Sequence, residues 1–310
     1  MKIKKYLVNI ILAAAILALL AIVFVIVYPK IIKLKSNWDV SEDGILNFAD
    51  YGELEFKITP YSDNEYFNIT KVEFKSEGAK IYGLLVVPYS DEKLPGLVLL
   101  PGAGVSKESE LNLAATIASL GFVVLTIDQR GVGETGGPFV GIDEDYSNFI
   151  NNKGVFQYLM FYDALKAAKI LRELASVDRN NILIAGESLG GRIAIISAAI
   201  DSNIKGVIGI STSGFGFREG HDKKKNRFIK SIDSDTYVPL IAPRKLAMIH
   251  NINDAGIPFQ STANTYLKAK EPKILLYINE TSQDCKHGYC QAMHDALKNG
   301  LKFALGKVEK

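Results

Sequence analysis

Cysteine is nearly absent from this chain: two residues in 310, Cys285 and Cys290. A disulfide-dense scaffold and a zinc ribbon both need more cysteines than that, so both are excluded. Histidine is almost as scarce, with four residues, and any imidazole chemistry must be chosen from His221, His250, His287 and His294. Acidic and basic residues nearly cancel, leaving a net charge of +2, so no global field favours nucleic acid as a partner. There is no internal repeat and no low-complexity tract. No group of His, Cys and Asp has ligand spacing, and neither a metal nor an organic cofactor is expected.

What the chain does have is apolar sequence: 48% of its residues are hydrophobic, enough for a substantial core in one or two domains. From Tyr6 to Tyr28 it is almost wholly apolar, with Asn9 the single strongly polar residue. About 20 apolar residues span a bilayer as a helix, with Tyr6, Tyr28 and Trp38 suited to the interfaces. Val27-Tyr28-Pro29-Lys30 is poor cleavage chemistry, so residues 1–29 are expected to form an uncleaved, single-pass signal anchor whose partner is membrane lipid along residues 6–28. Lys2, Lys4 and Lys5 nearly balance Lys30, Lys33 and Lys35 across it. The sequons Asn68-Ile69-Thr70 and Asn279-Glu280-Thr281, with the two cysteines, tilt the expectation toward a domain outside the cytoplasm. In an oxidising compartment Cys285 and Cys290 would bridge; in a reducing one they would stay thiols.

Residues 30–67 are mixed in character and read as a stalk or small N-terminal extension. From residue 68 the pattern becomes regular. Lys71-Val72-Glu73-Phe74 and Ile81 to Val87 flank a turn at Ser76-Glu77-Gly78-Ala79, as in a hairpin. Buried-type strands follow at 96–100, 122–127, 181–185, 207–210, 246–249 and 274–278. Helical patterns separate them at 111–120, 156–171 and about 290–305. Continuous apolar strands alternating with helices predict an α/β fold: an eight-stranded, mostly parallel sheet covered on both faces, over residues 68–310. Residues 214–243 read as a short cap-like insertion. They hold the basic run Lys223, Lys224, Lys225, Arg227 and Lys230, which reads as a solvated loop or a contact for anionic lipid or substrate.

One pentapeptide carries chemistry. Gly186-Glu187-Ser188-Leu189-Gly190 follows the strand-like Asn181 to Ala185 and precedes the helix-like Gly191 to Ala199. A serine on so tight a turn needs glycine at both flanks for strand and helix to approach. Its Oγ then projects above the sheet, and the N–H of Leu189, at a helix start, can stabilise an oxyanion.

With this elbow and strand order, residues 68–310 resemble an α/β-hydrolase of the dienelactone-hydrolase and prolyl-oligopeptidase-like serine hydrolase type. The resemblance implies a triad in the chain order Ser, Asp, His. Ser188 is the implied nucleophile. The segment His250-Asn251-Ile252-Asn253-Asp254-Ala255-Gly256-Ile257-Pro258 resembles the family's acid loop and makes Asp254 the implied acid, although Asn251 stands where the family often has glycine. His287-Gly288, between the last strand and the final helix, matches the family's base, with His294 the other candidate. The loop Pro101-Gly102-Ala103-Gly104 resembles the family's oxyanion loop, so Ala103 and Leu189 are the implied donors. Asp128-Gln129-Arg130-Gly131-Val132-Gly133 resembles a structural signature in which Arg130 forms a buried ion pair.

The implied activity is hydrolysis of a carboxylic ester, thioester or amide of a small acyl substrate through an acyl-enzyme. A peptidase of the same fold is the alternative within the class, and a non-catalytic binding protein on a hydrolase scaffold is the alternative outside it.

Overall fold

Aliphatic runs bounded by turn residues become strands, and the computed structural model describes residues 37–306. The strands are β1 (Trp38–Val40), β2 (Leu46–Phe48), β3 (Phe56–Asp63), β4 (Phe67–Ser76), β5 (Ala79–Pro88), β6 (Leu94–Leu100), β7 (Val123–Ile127), β8 (Val177–Glu187), β9 (Gly206–Ile210), β10 (Lys245–Asn251) and β11 (Lys273–Ile278). The helices are α1 (Leu111–Ser119), α2 (Ile142–Ile150), α3 (Phe156–Glu173), α4 (Leu189–Ile200), α5 (Lys223–Ile232), α6 (Ser234–Tyr237), α7 (Phe259–Lys268) and α8 (His294–Leu305).

The main sheet runs β11-β10-β9-β8-β6-β7-β5-β4-β3. From β11 to β7 every neighbouring pair is parallel, whereas β5 pairs antiparallel with both β7 and β4, and β4 with β3. This is the α/β-hydrolase fold expected from the sequence, with nine strands in the sheet where eight were expected. Period-two alternation sorts its core: in β6, Leu97 and Leu99 join one apolar cluster while Val98 and Leu100 join the other. Helices α3 and α4 cover the second face, and α1 and α8 the first.

The extra strand corrects the reading of residues 30–67 as a stalk or extension. From Trp38 onward this segment belongs to the domain. Val40 and Leu46 are buried, Trp38 packs edge-on against Tyr158 of α3 with ring centroids 4.9 Å apart, and the Leu46 N–H donates to the Tyr237 hydroxyl at 2.9 Å. The insertion at 214–243 is also more regular than a loop. Asp222 caps α5 by accepting the N–H groups of Lys224 and Lys225, and the basic run forms that helix's outer side while Phe228, Ile229 and Ile232 are buried. Arg227 reaches back to the Ser41 carbonyl at 3.0 Å.

Among the described residues no helix is long and apolar enough to cross a membrane. The expected anchor at residues 6–28 lies outside those residues.

Candidate active site

The elbow forms where β8 runs into α4. A Cβ on Gly186 would stand 2.4 Å from the Gly190 carbonyl carbon, and one on Gly190 would stand 2.0 Å from the Leu100 carbonyl oxygen. No larger residue fits at either flank while the strand and helix keep this approach. Ser188 itself sits at φ 52° and ψ −117°, a left-handed conformation that costs on the order of 1–3 kcal/mol in a non-glycine residue. Its surroundings hold it there: its N–H donates to the Ile210 carbonyl at 2.9 Å, and its carbonyl accepts the Thr212 hydroxyl at 2.7 Å. Leu189 opens α4, where its N–H has no carbonyl within the helix to bond.

The loop after β6 passes close by. A Cβ on Gly102 would lie 3.7 Å from the Ser188 Cβ, so the neighbouring Ala103 is beside the elbow and exposed. Gln129 steadies this loop by donating its side-chain amide to the Pro101 carbonyl. Arg130, next in the chain, is engaged through Nε and Nη2 with the buried Asp163 at 2.7 and 3.0 Å, the ion pair expected from the sequence.

Asp254 and His287 meet on the loops after β10 and β11. His287 Nδ1 is 2.8 Å from Asp254 Oδ1 and 3.1 Å from Oδ2. The Asp254 side chain is wholly buried, whereas that of His287 is 36% exposed, leaving the imidazole reachable from solvent. Burial pushes the Asp254 carboxyl up, but hydrogen bonds from His287, the Ile257 N–H, Ser211 and the Gly256 N–H outweigh it and hold the group below the usual carboxylate range. His287 is shifted up, chiefly by its bond to Asp254, against the opposing effect of burial and with help from the charges of Asp254 and Glu187.

The other three histidines have different surroundings. His250 is buried, donates Nε2–H to the Ile257 carbonyl at 3.0 Å and is held below its ordinary pKa by burial. His294 opens α8 with Nδ1 buried and without a hydrogen-bond partner, and His221 is exposed in the insertion.

Two features of the base loop were not fully legible in the sequence. Cys285 and Cys290 form a disulfide that brackets His287, with Cα atoms 5.2 Å apart. Asn251, which stood out as a departure at a glycine position, is a brace. Its amide donates to the Glu280 and Cys285 carbonyls, each at 2.8 Å, and its Oδ1 accepts the Glu280 N–H at 3.0 Å. The Ala255 N–H adds a bond to the Lys286 carbonyl at 2.7 Å. Acid loop and base loop are thus laced together by side chain and backbone.

Among the described residues no cluster of His, Cys, Asp and Glu could hold a metal ion. The site thus combines a strained serine turn, a half-exposed imidazole and a buried carboxylate on the Nδ1 edge of that imidazole.

Comparison with known proteins gives the family and the fold. A family model described as acetyl xylan esterase (AXE1) matches residues 38–213. An uncharacterized protein of Escherichia coli O157:H7, YfhR, is 28% identical over 145 residues, covering 43% of this chain and 49% of that protein. The acetyl esterase Axe7A of Xylanibacter ruminicola is 26% identical over 134 residues, 40% of this chain and 30% of its own length. The chain therefore spans about half the length of the first of these relatives and less than a third of the second. Among solved structures, an acetyl xylan esterase from Paenibacillus sp. R4 superposes with a TM-score of 0.66 at 19% identity, covering 82% of this chain and 90% of that one, a likeness of fold.

Proposed function

From the premise that the chain belongs to the acetyl xylan esterase (AXE1) family, we propose that it is a serine esterase that removes a small acyl group, acetyl foremost, from a carboxylic ester. The observation that carries this reading is the 2.8 Å contact of His287 Nδ1 with the buried Asp254, on loops laced together beside the strained Ser188 turn.

In the proposed reaction His287 Nε2 takes the Ser188 proton as Oγ attacks the acyl carbon. The oxyanion takes the N–H groups of Leu189 and Ala103, and losing one such donor typically costs on the order of 10²–10³ in rate. The tetrahedral species collapses, His287 gives its proton to the departing alkoxide, and Ser188 holds the acyl group. Water, losing its proton to His287, then attacks the ester carbon, and as the acid departs His287 returns that proton to the Ser188 Oγ. Asp254 holds Nδ1–H throughout and stabilises the imidazolium at both stages.

Acetyl is favoured by the family description and by the name of the Xylanibacter relative. The apolar run at residues 6–28 supports a further reading, that the esterase is tethered to a membrane and faces outward. The test is turnover of p-nitrophenyl acetate, butyrate and octanoate beside aminoacyl p-nitroanilides, on the protein and on Ser188→Ala. Acetate is expected to have the highest kcat/KM, and Ser188→Ala to be inert to all. Faster turnover of the anilides would replace the esterase with a peptidase, and undiminished turnover by Ser188→Ala would remove the serine mechanism.

A further inference from the structure

Two glutamates lie among the loops that converge on Ser188, and the reaction above uses neither. Glu187, immediately before Ser188, is half-buried and accepts the N–H of Tyr289, two residues beyond His287. Its carboxylate oxygens are 3.4 Å from where a Cβ on Gly288 would stand. Glu110, at the cap of α1 and on the segment leading from the oxyanion loop, is 3% exposed, and its Oε1 has no hydrogen-bond partner.

The two carboxyls have unlike surroundings. Burial, and then the charge of Glu187, pushes the Glu110 carboxyl up to about 9. Glu187 is also pushed up by burial, but the Tyr289 N–H and the charge of His287 oppose that shift. Two carboxyls that interact in a low-dielectric site do not both ionise at neutral pH. Oε1 of Glu110 has no donor to stabilise an anion. Glu187 has an N–H and an imidazole to stabilise its anion.

We propose that Glu187 is a positioning residue for His287: its carboxylate ties the base loop to the nucleophile elbow and sets a second negative charge, after that of Asp254, beside the imidazole. Because Glu187 is bonded in sequence to Ser188 and in space to Tyr289, it registers nucleophile and base against each other through one side chain. This inference rests on the esterase reading.

The charged and titratable neighbours are few. Asp254, Glu187 and His250 act on His287, and Glu110, Tyr289 and His287 act on Glu187. Removing the Glu187 charge leaves His287 a weaker base, so the acidic limb of kcat/KM, where the imidazole must lose its proton, moves to lower pH. Losing the hold on the loop lowers kcat independently, since displaced catalytic groups are slow.

The two effects separate by variant. With p-nitrophenyl acetate and the full chain, Glu187→Gln keeps an acceptor for Tyr289 but no charge. It is expected to shift the acidic limb downward and to lower kcat on the order of tenfold. Glu187→Asp keeps the charge on a shorter arm, and is expected to hold the limb near its wild-type position while kcat falls. The Asp variant also serves if the Gln variant does not fold. A Glu187→Gln enzyme with wild-type limb and wild-type kcat overturns the proposal, as does a Glu187→Asp enzyme whose limb has moved as far as that of Gln. Ser188→Ala is run beside them. If it is inert while both Glu187 variants match the wild type, the esterase stands and this proposal alone falls. If Ser188→Ala still turns over ester, the serine mechanism falls and the role of Glu187 with it.

Discussion

Asp254 meets Nδ1 of His287 at 2.8 Å with a carboxylate that takes the backbone N–H groups of Gly256 and Ile257 at the same distance. The two backbone donors hold the carboxylate from within its own loop, independently of the imidazole. A side chain held by its own loop can impose one tautomer on its partner, with the proton on Nδ1 and the lone pair on Nε2.

Asp254→Asn is therefore expected to fold and to fail at chemistry. The amide still accepts from Gly256 and Ile257, but it presents either an oxygen or an NH2 to Nδ1 and stabilises no imidazolium. A fall in kcat of about 10⁴ is expected from the precedent of such triads, read with p-nitrophenyl acetate. A rate within tenfold of wild type would assign the role to another carboxylate.

The pH dependence has a definite sign. His287 is raised above its ordinary value of 6.5, and only the neutral imidazole can take the Ser188 proton. The rate, as kcat/KM, should therefore be full on the alkaline side and fall as pH drops through a midpoint above 6.5. An acidic midpoint well below 6 would contradict the assignment of His287 as base.

Stability should respond at a different residue. Glu110 binds its proton up to about pH 9 when folded and releases it near 4.5 when unfolded. Between those values the folded state holds more protons, so this group's contribution to stability is complete below pH 4.5 and is lost as pH rises toward 9. Glu110→Gln, neutral throughout, is expected to raise the melting temperature relative to wild type by an increment that grows across that window. A constant difference from pH 5 to 9 would show that Glu110 is not the group responsible.

The disulfide between Cys285 and Cys290 encloses the base in a small loop. Closing so short a loop removes only about 2 kcal/mol of unfolded-state freedom in the chain-entropy picture. Its local effect should be larger, because His287 lies inside the loop and displacement of a catalytic group is costly. Reduction, or paired Cys285→Ser and Cys290→Ser substitutions, is expected to lower kcat more steeply than it lowers Tm. Asn251 would still hold the Cys285 carbonyl, which limits the loss to the loop's far side. Two free thiols by mass spectrometry of the native protein would end this idea.

The strands and chain order that position the site were legible because each is a short-range signal. An apolar run in a parallel sheet is hydrophobic at nearly every position, and the glycines of the elbow are adjacent in sequence to the serine they admit. Residues 38–63 gave no such signal. Strand β3 is largely exposed and contains Pro60, which is tolerated on an edge strand with a register shift beside it. Strands β1 and β2 have three residues each, and Trp38, Val40 and Leu46 become core only where they meet α3 and the insertion.

The same division holds at the site. The elbow around Ser188 was legible in sequence alone, since it is a local steric object in which every constraint lies within five residues. Asp254 and His287 came from position after a strand, which chain order supplies without distances. The surroundings of Asn251, Glu110 and Glu187 were decided by tertiary structure. Each is an ordinary polar residue in its own segment, and each acquires meaning from groups brought in by the fold: the Cys285 carbonyl, the charge of Glu187, and the Tyr289 N–H. Burial sets the energy of those contacts, because a carboxyl costs little in water and much in a low-dielectric interior, and burial is a property of the folded sheet and its loops together.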